Sequence, residues 1–599
     1  MRRIAPTGPV TLGTITLSAF TLGALAPPAI AGDGGLTQLV SRAPGGGPGN
    51  AASGTGPIHA TAVTSDARYT AFMSQAPNLV LGDTNALIDV FRLDLDTGAI
   101  VRCNLGPAGV QANDWCFLPD ISADGNFVAW SGHADNLVVG DSNVQEDVFV
   151  RDVASGVTER VSVSNTGTQG NSASSGPSIS GDGRYVVFWS LANNLVSFDG
   201  NGNGDIFLRD RLLNRTLALT ILPTGLQANA NSSTPRINEL GTHVVFVSFA
   251  TNLVSGDTNG IGDLFLYDLQ MNSVARIGQP TGPAQSNGDA AWPSLSADAG
   301  LVAFEGEATN LVPGDTNGLT DIFVQDISTG VIRRVSVDSN GVQANGASED
   351  PHLSADGQHI VFTSLATNLV PNDNNGHQDV FIHHLATGVT ELVSRSTAPL
   401  GNANEISFYP VVSGDGLTVV FASAADNLVV GDPNGFSDVF TRRWPAPPQI
   451  VCIGNMPGSL CPCGNTSGGL NGGCRNSTAV GAVPSWFGST SIATDDASVF
   501  CAGLPPGVPS LLFSGPQLLN GGAGVAFGDG LRCAGGPIQR LGVRLASAGG
   551  SASWGPGLAA LGGWGVGETQ ILQVWYRDVS GPCGTGFNTS SAIEAELFP

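Results

Sequence analysis

The chain has no lysine: all 24 of its basic residues are arginine, set against 49 Asp and Glu, for a net charge of −25. This acidity excludes the basic face on which nucleic-acid binding depends. Charge of either sign is scarce, at 12% of residues, roughly half the share of an ordinary soluble domain. A disordered acidic chain is excluded as well, because 41% of the residues are hydrophobic. Methionine numbers only 4 while glycine reaches 82, which rules out a mainly helical protein. No stretch after residue 31 approaches the ~20 consecutive apolar residues of a membrane span. A Gly-x-Ser-x-Gly nucleophile elbow is missing, which argues against a serine hydrolase. What abounds is Gly, Asn, Asp, Ser and Val, the vocabulary of short strands joined by turns. At 599 residues the chain is long enough for two or more domains.

Residues 1–31 read as a secretory signal peptide. Arg2 and Arg3 precede an apolar stretch from Val10 to Ala26, and Ala29-Ile30-Ala31 predicts cleavage after Ala31. The expected location is secreted, periplasmic or cell-surface. Cysteine usage fits an oxidising compartment. Cys103 and Cys116 lie early, and Cys452, Cys461, Cys463, Cys474, Cys501, Cys533 and Cys583 all follow residue 450. Nine is odd, so at least one thiol is left over. Cys461-Pro-Cys463 lacks redox or zinc spacing, so structural disulfides are expected.

An internal repeat dominates the chain. The segment Pro177-Ser-Ile-Ser-Gly-Asp-Gly-Arg-Tyr-Val-Val-Phe188 recurs, its last aromatic falling at Phe72, Trp130, Phe188, Phe246, Phe304, Phe362 and Phe421. The spacing is 58 residues five times and then 59. A second segment, Asn310-Leu-Val-Pro-Gly-Asp-Thr-Asn-Gly-Leu-Thr-Asp-Ile-Phe323, keeps the same period. Each unit predicts four strands, exemplified by Ser178–Ser180, His359–Phe362, Asp379–Ile382 and Arg334–Val337. Such a sheet buries its faces only against copies of itself, which favours radial stacking.

The Ser-x-Asp-Gly turn, the Val-x-Phe strand, the Asp-Val/Ile-Phe strand and the Asp-x-x-Thr-Gly turn resemble the WD40-like repeats of TolB-type β-propellers. The resemblance covers about residues 33–444. It implies a fold and leaves function open. The long Asp/Asn loop departs from the short blades of that family, and Asn238-Glu239-Leu240-Gly241 breaks the turn pattern of the fourth repeat. The expected fold is all-β, a seven-bladed propeller over residues 32–444. Thr37-Gln-Leu-Val-Ser-Arg42 matches a fourth-strand segment, Thr390-Glu-Leu-Val-Ser-Arg395, while the last repeat stops at Trp444 without one. The N-terminal strand is therefore expected to close the ring and remove its open edges.

The repeated loop is the candidate cation site. Its Asp-x-Asn-x-x-x-Asp trios are Asp83, Asn85, Asp89; Asp141, Asn143, Asp147; Asp199, Asn201, Asp205; Asp257, Asn259, Asp263; Asp315, Asn317, Asp321; Asp373, Asn375, Asp379; and Asp432, Asn434, Asp438. Three oxygen donors at short spacing suit calcium, helped by the Gln-x-Asn of the neighbouring loop, as in Gln111-Ala-Asn113. The bidentate Glu of a full EF-hand loop is missing, and Asn-Gly turns with Asp caps account for the same pattern structurally. The eight histidines, His59, His133, His243, His352, His359, His377, His383 and His384, are scattered, and His383-His384 reads as a surface strand.

Residues 445–450 form a Pro-rich linker, and residues 451–599 a Gly- and Cys-rich β domain expected to be a small disulfide-stapled sandwich. Segments such as Cys501-Ala-Gly-Leu-Pro-Pro-Gly507 and Cys583-Gly-Thr-Gly-Phe-Asn588 resemble a C-terminal module of secreted planctomycete-type bacterial proteins. Trp554, Trp564 and Trp575 read as core residues rather than a sugar platform. The functional expectation is a non-enzymatic binding or scaffold protein that presents a propeller face to a protein or glycan. The alternative is a glycan-active lyase or hydrolase working in the propeller channel. That enzyme would break the repeat symmetry with unique polar residues on the first strands, which read mostly as Ser, Ile, Leu and Val.

Overall fold

The computed structural model describes residues 35–55, 60–222, 225–396, 401–446, 448–453, 461–466 and 472–598. The predicted signal peptide and Pro447 of the linker lie outside the described residues. Each repeat becomes a four-stranded antiparallel sheet, and the described residues form seven such sheets. In the third, Ser174–Ile179, Tyr185–Ser190, Asp205–Asp210 and Arg215–Ala218 lie side by side in chain order. The last sheet takes its outer strand from the start of the chain. Leu36–Leu39 pairs antiparallel with Asp438–Arg443, placing Leu39 opposite Phe440. Innermost strands of successive sheets pack together, and Ser407–Val412 of the last meets Thr61–Val63 of the first, so the ring closes on itself.

The period is written by an aromatic pair. The last aromatic of each second strand stacks on the Phe of the third, from Phe72 on Phe91 at 5.8 Å to Phe421 on Phe440 at 5.9 Å between ring centroids. Trp130 and Phe149 fill the same place in the second sheet. All of these rings are fully buried. Cross-strand aromatic pairs of this kind add about 0.5–1.5 kcal/mol beyond the area they bury.

At the other end of the second strand sits the Ser-x-Asp-Gly turn. Ser180 donates its hydroxyl to Asp182 at 2.6 Å, and Asp182 accepts the Arg184 amide at 3.0 Å. Gly183 takes φ +69°, and a Cβ there would run into the Phe127 ring of the preceding sheet. Two features differ from the sequence expectation. The first strand is longer than predicted and bulged: its register slips between Ser175 and Ser178, and Pro177 rides on the bulge, where its missing N–H costs no ladder bond. The fourth strand of the fifth repeat is Ile332–Arg334, ending before the predicted Val337. The Ser336 hydroxyl accepts the Ile322 amide at 3.1 Å, so a side chain takes the bond that a strand carbonyl would have made.

The C-terminal domain pairs a five-stranded sheet with a three-stranded one, Val483–Phe487, Ser498–Ala502 and Ala552–Trp554. Leu512, Leu572, Val574 and Ile593 of the larger sheet share one core with Val499, Cys501 and Trp554 of the smaller. Trp554 and Trp564 are buried, and Trp575 packs partly buried beside the disulfide cluster. Disulfides join Cys452 to Cys533, Cys461 to Cys474 and Cys463 to Cys583. Three such bonds belong to an extracytoplasmic setting. No helix among the described residues is long and apolar enough to cross a membrane. Cys103, Cys116 and Cys501 are free and buried. Burial pushes the Cys103 thiol up to about 12, which leaves it an inert core side chain. Cys116 packs its sulfur where a Gly132 Cβ would sit, in place of the Ser–Ser pair that holds the same position in the third sheet.

Replacing one member of the aromatic stack tests whether the pair carries the repeat. Phe246→Ala is expected to cost about 3–5 kcal/mol, as for other buried Phe truncations, and to lower the propeller melting temperature. The check is differential scanning calorimetry against the exposed control Phe249→Ala, which should melt close to wild type.

Candidate functional site

Two regions concentrate polar side chains: the seven Asp/Asn loops and the ring axis. In every loop the second Asp heads the third strand and is buried. A side chain just past the fourth strand donates to it: Ser162 to Asp147 at 2.5 Å, Ser336 to Asp321 at 2.6 Å, Ser41 to Asp438 at 2.6 Å and Gln279 to Asp263 at 2.8 Å. Asn104, Thr220 and Ser394 do the same for Asp89, Asp205 and Asp379. In all but the Gln279 case the same hydroxyl or amide accepts the next backbone N–H, as Ser162 does from Val148 at 3.1 Å, whereas Gln279 accepts the Ser286 amide.

The middle Asn faces the other way from a metal ligand. Asn85 donates its amide to the Ala112 carbonyl at 3.1 Å, and its Oδ1 accepts the Leu87 amide at 3.2 Å. Asn143, Asn201, Asn317, Asn375 and Asn434 repeat both bonds, and Asn259 repeats the first. In six loops the Asn is a turn residue, because its oxygen already caps a backbone amide; Asn259 Oδ1 is buried without a hydrogen-bond partner. The two Asp of each loop are what remain for a cation.

The loops then divide into two kinds. In four of them a fourth-strand arginine stands between the carboxylates. Arg102 reaches Asp83 at 3.0 Å and Asp89 at 3.2 Å; Arg160 reaches Asp141 at 2.9 Å and Asp147 at 3.2 Å. Arg276 reaches Asp257 at 2.8 Å and Asp263 at 3.3 Å; Arg334 reaches Asp315 and Asp321, each at 3.5 Å. In the other three the same register position opposite the third-strand Phe holds Ala218, Leu392 or Leu39. There burial pushes Asp199, Asp379 and Asp438 up to about 6. Asp205, Asp373 and Asp432 are raised for the same reason.

On the axis lies a cavity of about 320 Å³ lined by first-strand residues of all seven sheets, including Thr61, Asp120, Gly176, Arg236, Trp292, His352 and Val411. A smaller one of about 140 Å³ lies toward the Ser-x-Asp-Gly turns and shares Asp120, Arg236 and His352, which form the waist between the two. At the turn end Glu239 of the irregular fourth repeat crosses to the Ser65 hydroxyl, so this departure from the repeat spans the narrow end of the channel.

The first strands are thus less plain than their sequence suggested, because the residue after each Pro varies from sheet to sheet. Most of these residues do one job. Asp120 accepts the Ile179 amide at 2.8 Å, Ser178 the Ile237 amide at 3.3 Å, Ser294 the Leu353 amide at 2.9 Å and His352 the Val412 amide at 3.3 Å. Each latches its strand to the next sheet. The bond to Nδ1 holds His352 neutral, and burial together with Arg236 lowers it to about 4. Arg236 cannot accept a hydrogen bond. Its guanidinium makes one side-chain bond, to the Pro235 carbonyl at 3.5 Å, and among the described residues no carboxylate lies within 4.0 Å of it. One residue before the Pro, Leu118, Thr234, Trp292, Asp350 and Tyr409 all adopt φ between +47° and +57°. That conformation is costly for a Thr or Trp, and the bulge imposes it in one sheet after another.

His383 corrects another expectation. It is buried, hydrogen-bonded to Thr390 at 2.8 Å and lowered to about 4 by burial, while His384 meets His359 at 2.8 Å. Arg209 occupies the His383 position in the third sheet and binds Thr216 in the same way, so the pocket is a repeated structural one.

No protein-family model and no curated protein matches the chain. Solved structures do. TolB from Acinetobacter baumannii is 18% identical with a TM-score of 0.31, covering 53% of this chain and 61% of its own. An oligogalacturonate lyase solved in complex with manganese is 13% identical with a TM-score of 0.39, covering 64% of this chain and 88% of its own. Acylaminoacyl peptidase from Pyrococcus horikoshii is 9% identical with a TM-score of 0.38, covering 63% and 50%. The chain therefore spans less than two thirds of the TolB structure and half of the peptidase. These are likenesses of fold.

Proposed function

We propose that the chain is an extracytoplasmic binding protein whose axial cavity receives an anionic group of a protein or glycan partner. The observation that carries this reading is Arg236. Of the waist residues it alone is a permanent cation, it takes no part in the latch, and it faces a cavity of ligand size with the charge of Asp120 acting on it but with no ion-pair partner within 4.0 Å among the described residues. An incoming carboxylate would gain a charge-assisted, bidentate partner in a place shielded from water. Trp189 and Trp292, both in the lining, offer apolar faces to the rest of the ligand. The waist acid and histidine are already engaged as acceptors of backbone amides, which favours binding over catalysis.

A channel enzyme remains the second reading, and one pair favours it. Glu305 accepts the Asp350 amide at 2.9 Å. Burial, reinforced by Asp350, Glu349 and Glu307, pushes Glu305 up to about 8, while Asp350 rises to about 6. A protonated acid beside an ionised one is the raw material of acid–base chemistry.

Two measurements separate these readings. On a glycan and peptide array, wild type should bind uronate-bearing glycans or peptides with free carboxyl termini. Arg236→Met should weaken that binding at least tenfold, in line with about 2–5 kcal/mol for truncating a buried charged partner. Binding confined to neutral ligands, or indifferent to Arg236, defeats the proposal. Release of new reducing ends from an acidic polysaccharide, abolished in Glu305→Gln, would establish the enzyme instead.

Glu305 also predicts a pH response. Its folded value of about 8 lies above its ordinary 4.5, so the folded state holds a proton that the unfolded chain gives up. Its contribution to stability is whole below about pH 4.5 and is lost as the pH rises toward 8. Melting temperatures measured from pH 5 to pH 8 should fall more steeply for wild type than for Glu305→Gln; parallel curves would show that Glu305 does not titrate there.

A further inference from the structure

The four arginine-bridged loops show what the two carboxylates of each repeat are shaped to hold. Arg334 touches Asp315 and Asp321 through Nη1 and the Gly314 carbonyl through Nη2 at 3.3 Å. The position is thus a small cradle of two buried carboxylates and a main-chain oxygen with a positive charge at its centre. Where the fourth strand supplies Ala218, Leu392 or Leu39, the cradle keeps its oxygens and loses its cation.

The last sheet shows this most sharply. Asp432 is 4% exposed and Asp438 fully buried, and the two carboxyls face each other closely enough for each to act on the other. Asp438 is satisfied on both sides, by Ser41 at 2.6 Å and Asn434 at 2.5 Å. Asp432 Oδ1 is different: it is buried with no hydrogen-bond partner. The neighbouring loop offers none, because the residue facing Arg42 there is Pro48, where Gln343 in the fifth sheet donates to both Asp315 and Asp321 at 3.0 Å. Two neighbouring carboxylates, buried and without a counter-charge, are strongly unfavourable as they stand. In the sixth sheet Asp373 is 7% exposed and Asp379 fully buried; Asn402 reaches Asp373 at 3.4 Å and the Asn375 backbone amide also donates to it, and neither carries a charge. In the third, Asp199 and Asp205 face each other with no arginine against them among the described residues.

We infer that the chain binds three calcium ions, one in each arginine-free loop, at Asp199/Asp205, Asp373/Asp379 and Asp432/Asp438, and that arginine takes the place of the ion in the other four. A hard divalent cation fits an all-oxygen cradle of two carboxylates with room for a main-chain carbonyl and water. One positive charge of a guanidinium and the charge of a bound calcium are alternative answers to the same pair of acids. The pattern also explains why the Asp pair persists in loops that have lost the arginine.

Isothermal titration of the chelator-treated full chain with calcium chloride at neutral pH tests this directly. Wild type should bind three ions. Asp432→Asn, isosteric with the native side chain, should bind two. Ala218→Arg, which restores the residue found in the other sheets, should also bind two. Arg160→Leu, which empties a bridged loop, should bind four. Should Arg160→Leu fail to fold, the first three proteins suffice. Calcium should also raise the wild-type melting temperature relative to chelator, and by less in Asp432→Asn. A wild-type stoichiometry of zero or seven overturns the inference, as does a stoichiometry of three that neither Asp432→Asn nor Ala218→Arg changes; in the first case the paired acids share a proton instead.

Discussion

A carboxylate that heads each third strand is buried in every sheet, and much of the ring follows from keeping it satisfied. Asp89, Asp147, Asp205, Asp263, Asp321, Asp379 and Asp438 are at most 1% exposed. An unpaired charge so placed would cost several kcal/mol. Each therefore draws a hydroxyl or amide from just past the fourth strand, and six of them the Asn of their own loop, while Asp321 takes Gln343 instead. The donors hold the outer strand against the third where its ladder ends, and the Asn ties the loop to the connection into the next sheet. One buried charge per repeat thus sets strand register, loop shape and the junction between sheets. The aromatic stack supplies the apolar energy of the core; the Asp supplies its geometry.

The axis obeys a related rule. An acceptor after the proline of the first strand takes a backbone amide of the next sheet, whether it is Asp120, Ser178, Ser294 or His352. Different residues do the same work because only the lone pair matters. Arg236 is the exception since it has none to give, and its donors are left to the cavity. The functional reading therefore rests on the residue that cannot perform the structural task, rather than on the acid and histidine that a motif search would have chosen.

The sequence announced the sheets, their number of strands and the closing N-terminal strand, because those follow from a strict period of buried side chains. The bulge was hidden. Nothing in the residues Thr234 or Trp292 announces a positive φ; the packing of first strands around the axis imposes it. The two kinds of loop were written in the sequence but could be read only with the register in hand. Arg102, Arg160, Arg276 and Arg334 each lie 13 residues after their Asp, across a hairpin. Without knowing that this spacing brings them face to face, they look like scattered surface charges. The variable position after the proline was likewise visible as the least uniform column of an otherwise uniform repeat, yet its partners on the next sheet are 59 or 60 residues away.

The three arginine-free loops are not placed alike, and the difference concerns the weakest joint of the ring. In the third and sixth sheets all four strands are consecutive in the chain. In the last, the donor to Asp438 is Ser41, 397 residues away, on a strand held only by noncovalent bonds. Joining segments so far apart costs loop-closure entropy that adjacent strands avoid, although the cost rises slowly with length. Leu39, which stands where the arginine would be, belongs to that same strand. An arginine there could neutralise the Asp pair only after the strand had docked. A cation bound to Asp432 and Asp438 can do so beforehand, since both ligands come from one continuous stretch of chain, and would leave a loop already shaped to receive Ser41. The order of events would then be metal first and closure second, which makes the last sheet the one where losing the ion should be felt most.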